Sequence, residues 1–179
     1  MLSDNHEEQQ EEEDQKHDEE TYERPHPIKE KYELTELFLK KIIRQLLFAI
    51  ESMHDLGIAH RDLKLDNIMF QDMNGKPEIR IIDFGLSKSF DPNDVNPNKF
   101  QSLTGTTHYL APQVIKGEYD EKCDIWALGV IAYQLFSGGD FPFDGSNEVQ
   151  VYKSIRKGKF YLPPESKPSI PATKSFEWT

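Results

Sequence analysis

The sequence predicts a mainly α-helical fold with short β-hairpins, and three patterns lead to that fold class. Apolar residues recur every three or four positions between Leu39 and Leu56, which is typical of an amphipathic helix. Two short apolar runs flank Asn74-Gly75, a dipeptide that favours a tight hairpin turn. A last run, from Asp124 to Phe136, is apolar on most faces and therefore predicts a fully buried helix.

The first helix has recognisable signals at both ends. Thr35 is a suitable N-cap, because its hydroxyl can accept a hydrogen bond from a free amide of the first turn. Glu36 suits the positive N-terminal end of a helix, and Gly57 is a suitable residue for the stop. Seven apolar residues would form the buried face: Leu39, Ile42, Ile43, Leu46, Ile50, Met53 and Leu56.

A dense group of charged residues follows this helix. Residues 60–67, His-Arg-Asp-Leu-Lys-Leu-Asp-Asn, place two carboxylates, two cations and an amide within eight positions. Residues 83–85, Asp-Phe-Gly, then place a carboxylate after the apolar strand 79–82, with a glycine that can relax the backbone. Such charge beside apolar residues is unusual for a solvated surface. It indicates either a buried ion-pair cluster or a catalytic site.

The two runs resemble the catalytic loop H-R-D-L-x-x-x-N and the metal-binding D-F-G of protein kinases. The resemblance implies the large, C-terminal lobe of a serine/threonine protein kinase, an enzyme that transfers a phosphoryl group from ATP to a Ser or Thr of a protein substrate. ATP and Mg²⁺ are the implied cofactors. The alternative, an ion-pair cluster without catalysis, stays open from the residues alone.

The resemblance also gives each motif residue a role. Asp62 would orient or accept the proton of the substrate hydroxyl, and Lys64 would meet the transferring phosphoryl of ATP. Asn67 and Asp83 would supply hard oxygen ligands to the Mg²⁺ that bridges the ATP phosphates. Met69 would lie under the adenine ring, although a core methionine fits the sequence equally well.

Supporting roles follow in the same way. Arg61 would hold a phosphorylated activation segment, in which Ser102 is the expected phosphate carrier. His60 and Phe84 match two stacked members of the family's regulatory spine, and Gly85 completes the D-F-G motif.

Two later motifs extend the resemblance. Residues 105–113 are similar to the G-T-x-x-Y-x-A-P-E that closes the activation segment, although the final glutamate is Gln113 here. Thr106 in this motif would bond the catalytic aspartate and Lys64. Residues 124–129 match D-x-W-x-x-G, in which Asp124 would cap the backbone of the catalytic loop. The flanking residues are most similar to calcium/calmodulin-type and calcium-dependent protein kinases.

Three segments are expected. Residues 1–34 are an acidic, largely disordered lead, since ten acids and one lysine stand in the first 20 residues. Residues 35–161 are the kinase-like lobe, and residues 162–179 are a proline-rich, divergent tail. No G-x-G-x-x-G and no V-A-I-K lysine precede the long helix, so the lobe is expected to lack its small N-terminal partner and to be incomplete at both ends.

Composition excludes several other classes. The net charge is −11, of which −9 lies in residues 1–20, so the remainder has no strongly basic face for nucleic acid. Cys123 is the one cysteine, which excludes an internal disulfide. No run of 18 apolar residues suggests a membrane span. The expected location is therefore intracellular, in the cytoplasm.

Three functional interpretations remain. The first is a serine/threonine kinase lobe that is inactive as this chain alone. The second is a non-catalytic interaction module that binds a partner through the surface where the small lobe would sit. The third is a truncated gene-model fragment without a selected function, which the divergent tail favours.

Overall fold

The computed structural model describes residues 35–73, 76–94, 100–161 and 176–177. The described residues are mainly helical, and their short strands pair in twos, all antiparallel: β1 with β4, β2 with β3, and β5 with β6. This confirms the fold class that the sequence predicts. The elements in chain order are α1 Glu36–Asp55, β1 Ile58–Ala59, β2 Ile68–Met73, β3 Lys76–Ile81, β4 Lys88–Ser89, α2 Pro112–Lys116, α3 Cys123–Ser137, α4 Glu148–Lys157, β5 Lys159–Phe160 and β6 Phe176–Glu177.

Helix α1 begins and ends where the capping signals predict. The Thr35 hydroxyl accepts a hydrogen bond from the amide of Phe38 at 3.1 Å. Gly57 has a φ of +69°, and a Cβ there would lie 2.3 Å from the carbonyl oxygen of Phe90, so only glycine fits. Leu56 was predicted to face the core, but this was wrong. The helix ends one residue earlier, and Leu56 is 76% exposed.

The core lies between α1 and α3. The predicted apolar stripe of α1 packs against one side of α3, and the turn around Tyr109 closes one end of this cluster. The most deeply buried side chains of the cluster are Ile42, Leu46, Ile50, Leu63 and Ile131. These contacts fix the position of the residues that follow α1, and those residues form the site.

Helix α3 is less buried than its composition predicts. Ile125 is 46% exposed and Gly129 is also exposed, whereas Ile131 on the other side of the helix is fully buried. The apolar run predicts a helix but cannot tell which of its faces a neighbour covers. In the described part of the chain, α1 and the segment before α3 cover the remaining faces.

Strands β2 and β3 form the predicted hairpin. The register pairs Ile68 with Ile81 and continues to Met73 with Lys76, so two residues, Asn74 and Gly75, connect the strands and lie outside the described residues. The ladder extends beyond the apolar positions, since Gln71 pairs with Glu78. Its open end brings the residues before β2 and after β3 together.

A second, two-residue ladder holds the same region from the other side. Ile58 pairs with Ser89, and Ala59 pairs with Lys88. The residues entering the 60–67 loop are therefore tied to those leaving the 83–85 turn.

No helix in the described ranges is long and apolar enough to cross a membrane.

The Cys123 thiol is expected to react slowly in the folded protein. Cys123 is 8% exposed, and its pKa is raised from the ordinary 9.0, first by burial and then by Asp124 and Asp120. Because the thiolate is the nucleophile, a neutral-pH thiol reagent should modify denatured protein at least about tenfold faster than native protein. Above pH 9 the thiol of the unfolded chain ionises more readily than the buried thiol, so the free energy of unfolding should fall as the pH rises further. Equal rates in urea and in buffer would contradict the expectation.

Candidate active site

The loop after β1 is held by one buried carboxylate. The amides of His60 and Arg61 donate to the two oxygens of Asp124, each at 2.8 Å. The His54 imidazole lies 3.0 Å from the same carboxylate, which is 1% exposed. Arg61 has a φ of +68°, which is uncommon for a residue with a side chain. The Asp124 bonds stabilise this turn, which is the geometry that the predicted capping role requires.

Asp62 lies at the centre of a compact polar cluster with Lys64 and Thr106. The Thr106 hydroxyl donates to Asp62 Oδ1 at 2.7 Å, and the Lys64 ammonium lies 3.1 Å from Asp62 Oδ2. Lys64 also donates to the Thr106 hydroxyl oxygen at 3.1 Å. Asp62 is 8% exposed, so these contacts fix its orientation in a largely dry setting. The structure thus brings together the three residues predicted as catalytic.

His60 joins the loop to the chain after β3. Its Nε2 lies 3.0 Å from the carbonyl oxygen of Ile82, and its Nδ1 lies 3.3 Å from the amide of Asp62. Since an amide only donates, Nδ1 is the acceptor and Nε2 carries the proton. The Phe84 ring contacts the His60 ring edge-on, with centroids 5.0 Å apart. The expected pair is therefore in contact but not in parallel stacking.

Asn67 and Asp83 lie at the open end of the hairpin. The amide of Ile82, directly before Asp83, donates to the Asn67 carbonyl at 3.0 Å. The Asn67 side-chain nitrogen donates to the Asp62 carbonyl at 2.9 Å. This leaves the Asn67 side-chain oxygen without a hydrogen-bond partner in the described part of the chain. Asp83 is exposed, with a left-handed φ of 62°, and one of its oxygens accepts the Gly85 amide at 3.2 Å.

These oxygens fit a hard cation. Mg²⁺ binds through one or two protein oxygen groups and completes its shell with phosphates and water. Asn67 and Asp83 offer such a pair. The ranges that the structure describes contain no group of three or more His, Cys, Asp or Glu side chains suited to a metal held by protein alone.

The remaining nucleotide-site prediction falls on the hairpin and the turn after it. Met69 is half-buried on β2, where it pairs with Arg80. Phe84 is 45% exposed and Leu86 is 42% exposed, so an apolar edge faces outward beside Asp83. Gly85 does not have a positive φ. The left-handed residue of this turn is Asp83.

The Arg61 side chain reaches residues 100–106, which follow β4 and are called the segment below. Its Nε donates to the carbonyl of Leu86 at 2.8 Å, and its Nη1 donates to the Ser102 hydroxyl at 3.1 Å. A second bond from Nη1 reaches the Tyr119 hydroxyl at 3.2 Å. The predicted pair of Arg61 and Ser102 is therefore in contact, with Tyr119 beside it.

Gly105 explains how the segment approaches the loop so closely. Its φ is +118°, and a Cβ there would lie 2.7 Å from the Arg61 carbonyl oxygen. Glycine at this position therefore lets the backbone of the segment contact that of the loop. The approach places the next residue, Thr106, against Asp62.

Sequence patterns missed three contributors to the site. His54 and Tyr119 reach Asp124 and Arg61 from 70 and 58 positions away, and no local pattern signals such contacts. The third contributor, Gln134, is buried and accepts a hydrogen bond from the Tyr109 hydroxyl at 2.7 Å. Burial raises the pKa of Tyr109, so that hydroxyl stays a donor at neutral pH.

Comparisons with known proteins identify the family of the chain. The protein kinase domain family matches residues 15–177. Calcium-dependent protein kinase 4 of Plasmodium falciparum (isolate 3D7) is 45% identical over 126 residues, which is 70% of this chain and 23% of the relative. Calcium-dependent protein kinase 4 of Plasmodium berghei (strain Anka) is 46% identical over 121 residues, 67% of this chain and 22% of the relative.

A third relative gives the same result. Calcium-dependent protein kinase 5 of Plasmodium berghei (strain Anka) is 42% identical over 120 residues, 67% of this chain. The chain thus spans only 20–23% of the length of these relatives. The family match includes the loop, the turn and the segment that form the site. The chain therefore belongs to the protein kinase domain family, and it is most similar to calcium-dependent protein kinases.

Proposed function

We propose that this chain supplies the large lobe of a serine/threonine protein kinase, with Asp62, Lys64 and Thr106 as its catalytic group. The observation that carries the proposal is the cluster in which Thr106 and Lys64 each bond one oxygen of Asp62. Phosphoryl transfer depends mostly on positioning and on charge neutralisation, and a fixed carboxylate beside an ammonium supplies both. A free, solvated carboxylate would supply neither positioning nor charge neutralisation.

The proposed mechanism divides the work among four groups. Asp62 accepts a hydrogen bond from the substrate hydroxyl and orients it toward the phosphoryl group. The Lys64 ammonium, 3.1 Å from Asp62, neutralises charge on the transferring phosphoryl. Asn67 and Asp83 would hold the metal. Mg²⁺, when bound, neutralises the ATP phosphates.

We further propose that the 179-residue chain, taken by itself, binds MgATP too weakly to act as a kinase. The described residues supply only one wall of a nucleotide site, and the exposed Phe84 and Leu86 mark its uncovered edge. Without a covering loop the phosphates stay wet, so each charge contact is screened toward its small value in water. Calorimetric titration with MgATP should therefore give a dissociation constant of about 1 mM or weaker.

Asp83→Ala is the matched variant for this titration, because it removes one proposed metal ligand from an exposed turn. Weak binding in both proteins agrees with the proposal. A low-micromolar constant that is lost in Asp83→Ala would show that the single lobe binds nucleotide without a second one.

Ser102 is the proposed phosphorylation site of the segment. Its hydroxyl is exposed and lies 3.1 Å from the Arg61 guanidinium, which can receive a phosphate through charge-assisted bonds. Phosphopeptide mapping of protein from its native cells should find phosphate on Ser102. Phosphate on Thr104 or Ser89, with Ser102 unmodified, would contradict the assignment.

The exposed edge also favours a second candidate function. A lobe whose Phe84 and Leu86 face solvent offers an apolar surface for another protein in place of a small lobe. A non-catalytic interaction module would use this surface and would tolerate Asp62→Ala. The kinase interpretation does not tolerate it, so that variant separates the two functions.

A further inference from the structure

The Tyr119 hydroxyl occupies a central place between the loop and the segment. It donates to the Ser102 carbonyl at 2.9 Å and accepts a bond from Arg61 Nη1 at 3.2 Å. The Ser102 hydroxyl lies 3.5 Å away, at the limit of a hydrogen bond. One oxygen atom therefore links the guanidinium of the loop to the backbone of the segment.

The ring that carries this hydroxyl is fixed. Tyr119 is 3% exposed and its ring contacts the edge of Phe100, which is 2% exposed, at a centroid distance of 5.3 Å. The backbones of the two residues exchange hydrogen bonds of 2.7 and 3.1 Å. A buried ring of this kind has few alternative rotamers, so its hydroxyl is presented to Arg61 at little entropic cost.

Two cations lie against the Phe100 ring of this pair. The Arg61 guanidinium lies 5.4 Å from the centroid of Phe100, and the Lys88 ammonium lies 5.2 Å from it. The three hydrogen bonds of the Arg61 side chain in the described part of the chain all go to neutral oxygens: Leu86 O, Ser102 Oγ and Tyr119 Oη. The Arg61 guanidinium therefore has hydrogen-bond partners even without a phosphate on Ser102.

We propose that Tyr119 is a positioning residue whose hydroxyl docks the segment around Ser102 onto Arg61 in the unphosphorylated protein. The link does what a phosphate on Ser102 would otherwise do, since both join the segment to the same guanidinium. Phosphorylation then adds little to the order of the segment while Tyr119 is present. The inference deepens the regulation proposed above for Ser102 and rests on it, but its test does not need phosphoryl transfer.

The test is amide hydrogen exchange in the full chain, read by NMR at residues 100 and 119, whose amides form the backbone bridge. Tyr119→Phe removes one oxygen and keeps the ring. It should accelerate exchange at both amides about tenfold, because the segment opens more often. The amide of Ile131, in the buried core, should not change. Tyr133→Phe is the matched control, because it removes a hydroxyl that donates to the Tyr161 carbonyl at 2.7 Å, away from the segment.

A second change separates positioning from simple packing. Ser102→Glu supplies a carboxylate to Arg61, so it should return exchange in Tyr119→Phe to within about threefold of wild type. In the wild-type background the same change should alter exchange less than about threefold. Unchanged exchange in Tyr119→Phe would overturn the proposal, as would acceleration that includes Ile131 or that Ser102→Glu does not reverse. All of these outcomes are independent of whether the chain transfers phosphate.

Discussion

Asp62→Ala is expected to abolish phosphoryl transfer when the chain is joined to an upstream small lobe and given a serine peptide. In the proposed mechanism the carboxylate positions the substrate hydroxyl, and a group with this role typically contributes about 10² to 10⁴ in rate. A fall of roughly 10³-fold in kcat, with little change in peptide KM, is the expected result in a steady-state assay. The effect should lie in the chemical step because Asp62 is 8% exposed and held by Thr106 and Lys64.

Two comparisons make this result specific. Asp83→Ala should fail by losing Mg²⁺, so raising the metal concentration should recover part of its activity but none of that of Asp62→Ala. Asp55→Ala removes an exposed carboxylate at the end of α1 and should leave transfer unchanged. Wild-type turnover in Asp62→Ala would exclude the assignment of Asp62 as a catalytic residue.

Asp124→Ala is expected to be the most destabilising single change in the loop region. The substitution leaves the amides of His60 and Arg61 without their acceptors in a site that is closed to water. Each orphaned buried donor costs about 1–3 kcal/mol, so the free energy of unfolding should fall by roughly 3–5 kcal/mol. Urea denaturation followed by far-ultraviolet circular dichroism measures this change as a lower midpoint.

Asp124→Asn refines the same test. The amide keeps one acceptor oxygen but turns an NH₂ group toward the second backbone donor, so its loss should be smaller than that of alanine yet clearly above 1 kcal/mol. Asp140→Ala, an exposed aspartate after α3, should stay within about 0.5 kcal/mol of wild type. Equal midpoints for Asp124→Ala and Asp140→Ala would show that the loop does not depend on this carboxylate.

Local signals predicted the elements well. Thr35 and Gly57 mark the ends of α1 because capping depends on residues within one turn of the helix end. The Asn74-Gly75 dipeptide predicted the hairpin because the preference for a turn is also a property of neighbouring residues. The prediction that Leu56 is buried was wrong because its spacing continues the apolar stripe, whereas the helix has already ended at Asp55.

Contacts between distant residues were predicted only where a family motif joins them. The motif resemblance paired Thr106 with Asp62 and Asp124 with the loop, and the structure places these residues in contact. Tyr119 carried no such signal, since its hydroxyl contacts an arginine 58 positions away. The partial exposure of α3 was equally hidden, because hydrophobicity states what a face prefers and not what covers it.

The bond from Thr106 to Asp62 spans 44 positions of chain, so the orientation of the carboxylate depends on where the segment lies. Oδ1 receives its donor only when the segment is seated, and Oδ2 keeps its ammonium in either case, because Lys64 lies on the same loop as Asp62. Displacement of the segment would therefore remove one of the two contacts that orient the Asp62 carboxylate. Asp62 would then be oriented for the reaction only when the loop contact from Lys64 and the segment contact from Thr106 are both made.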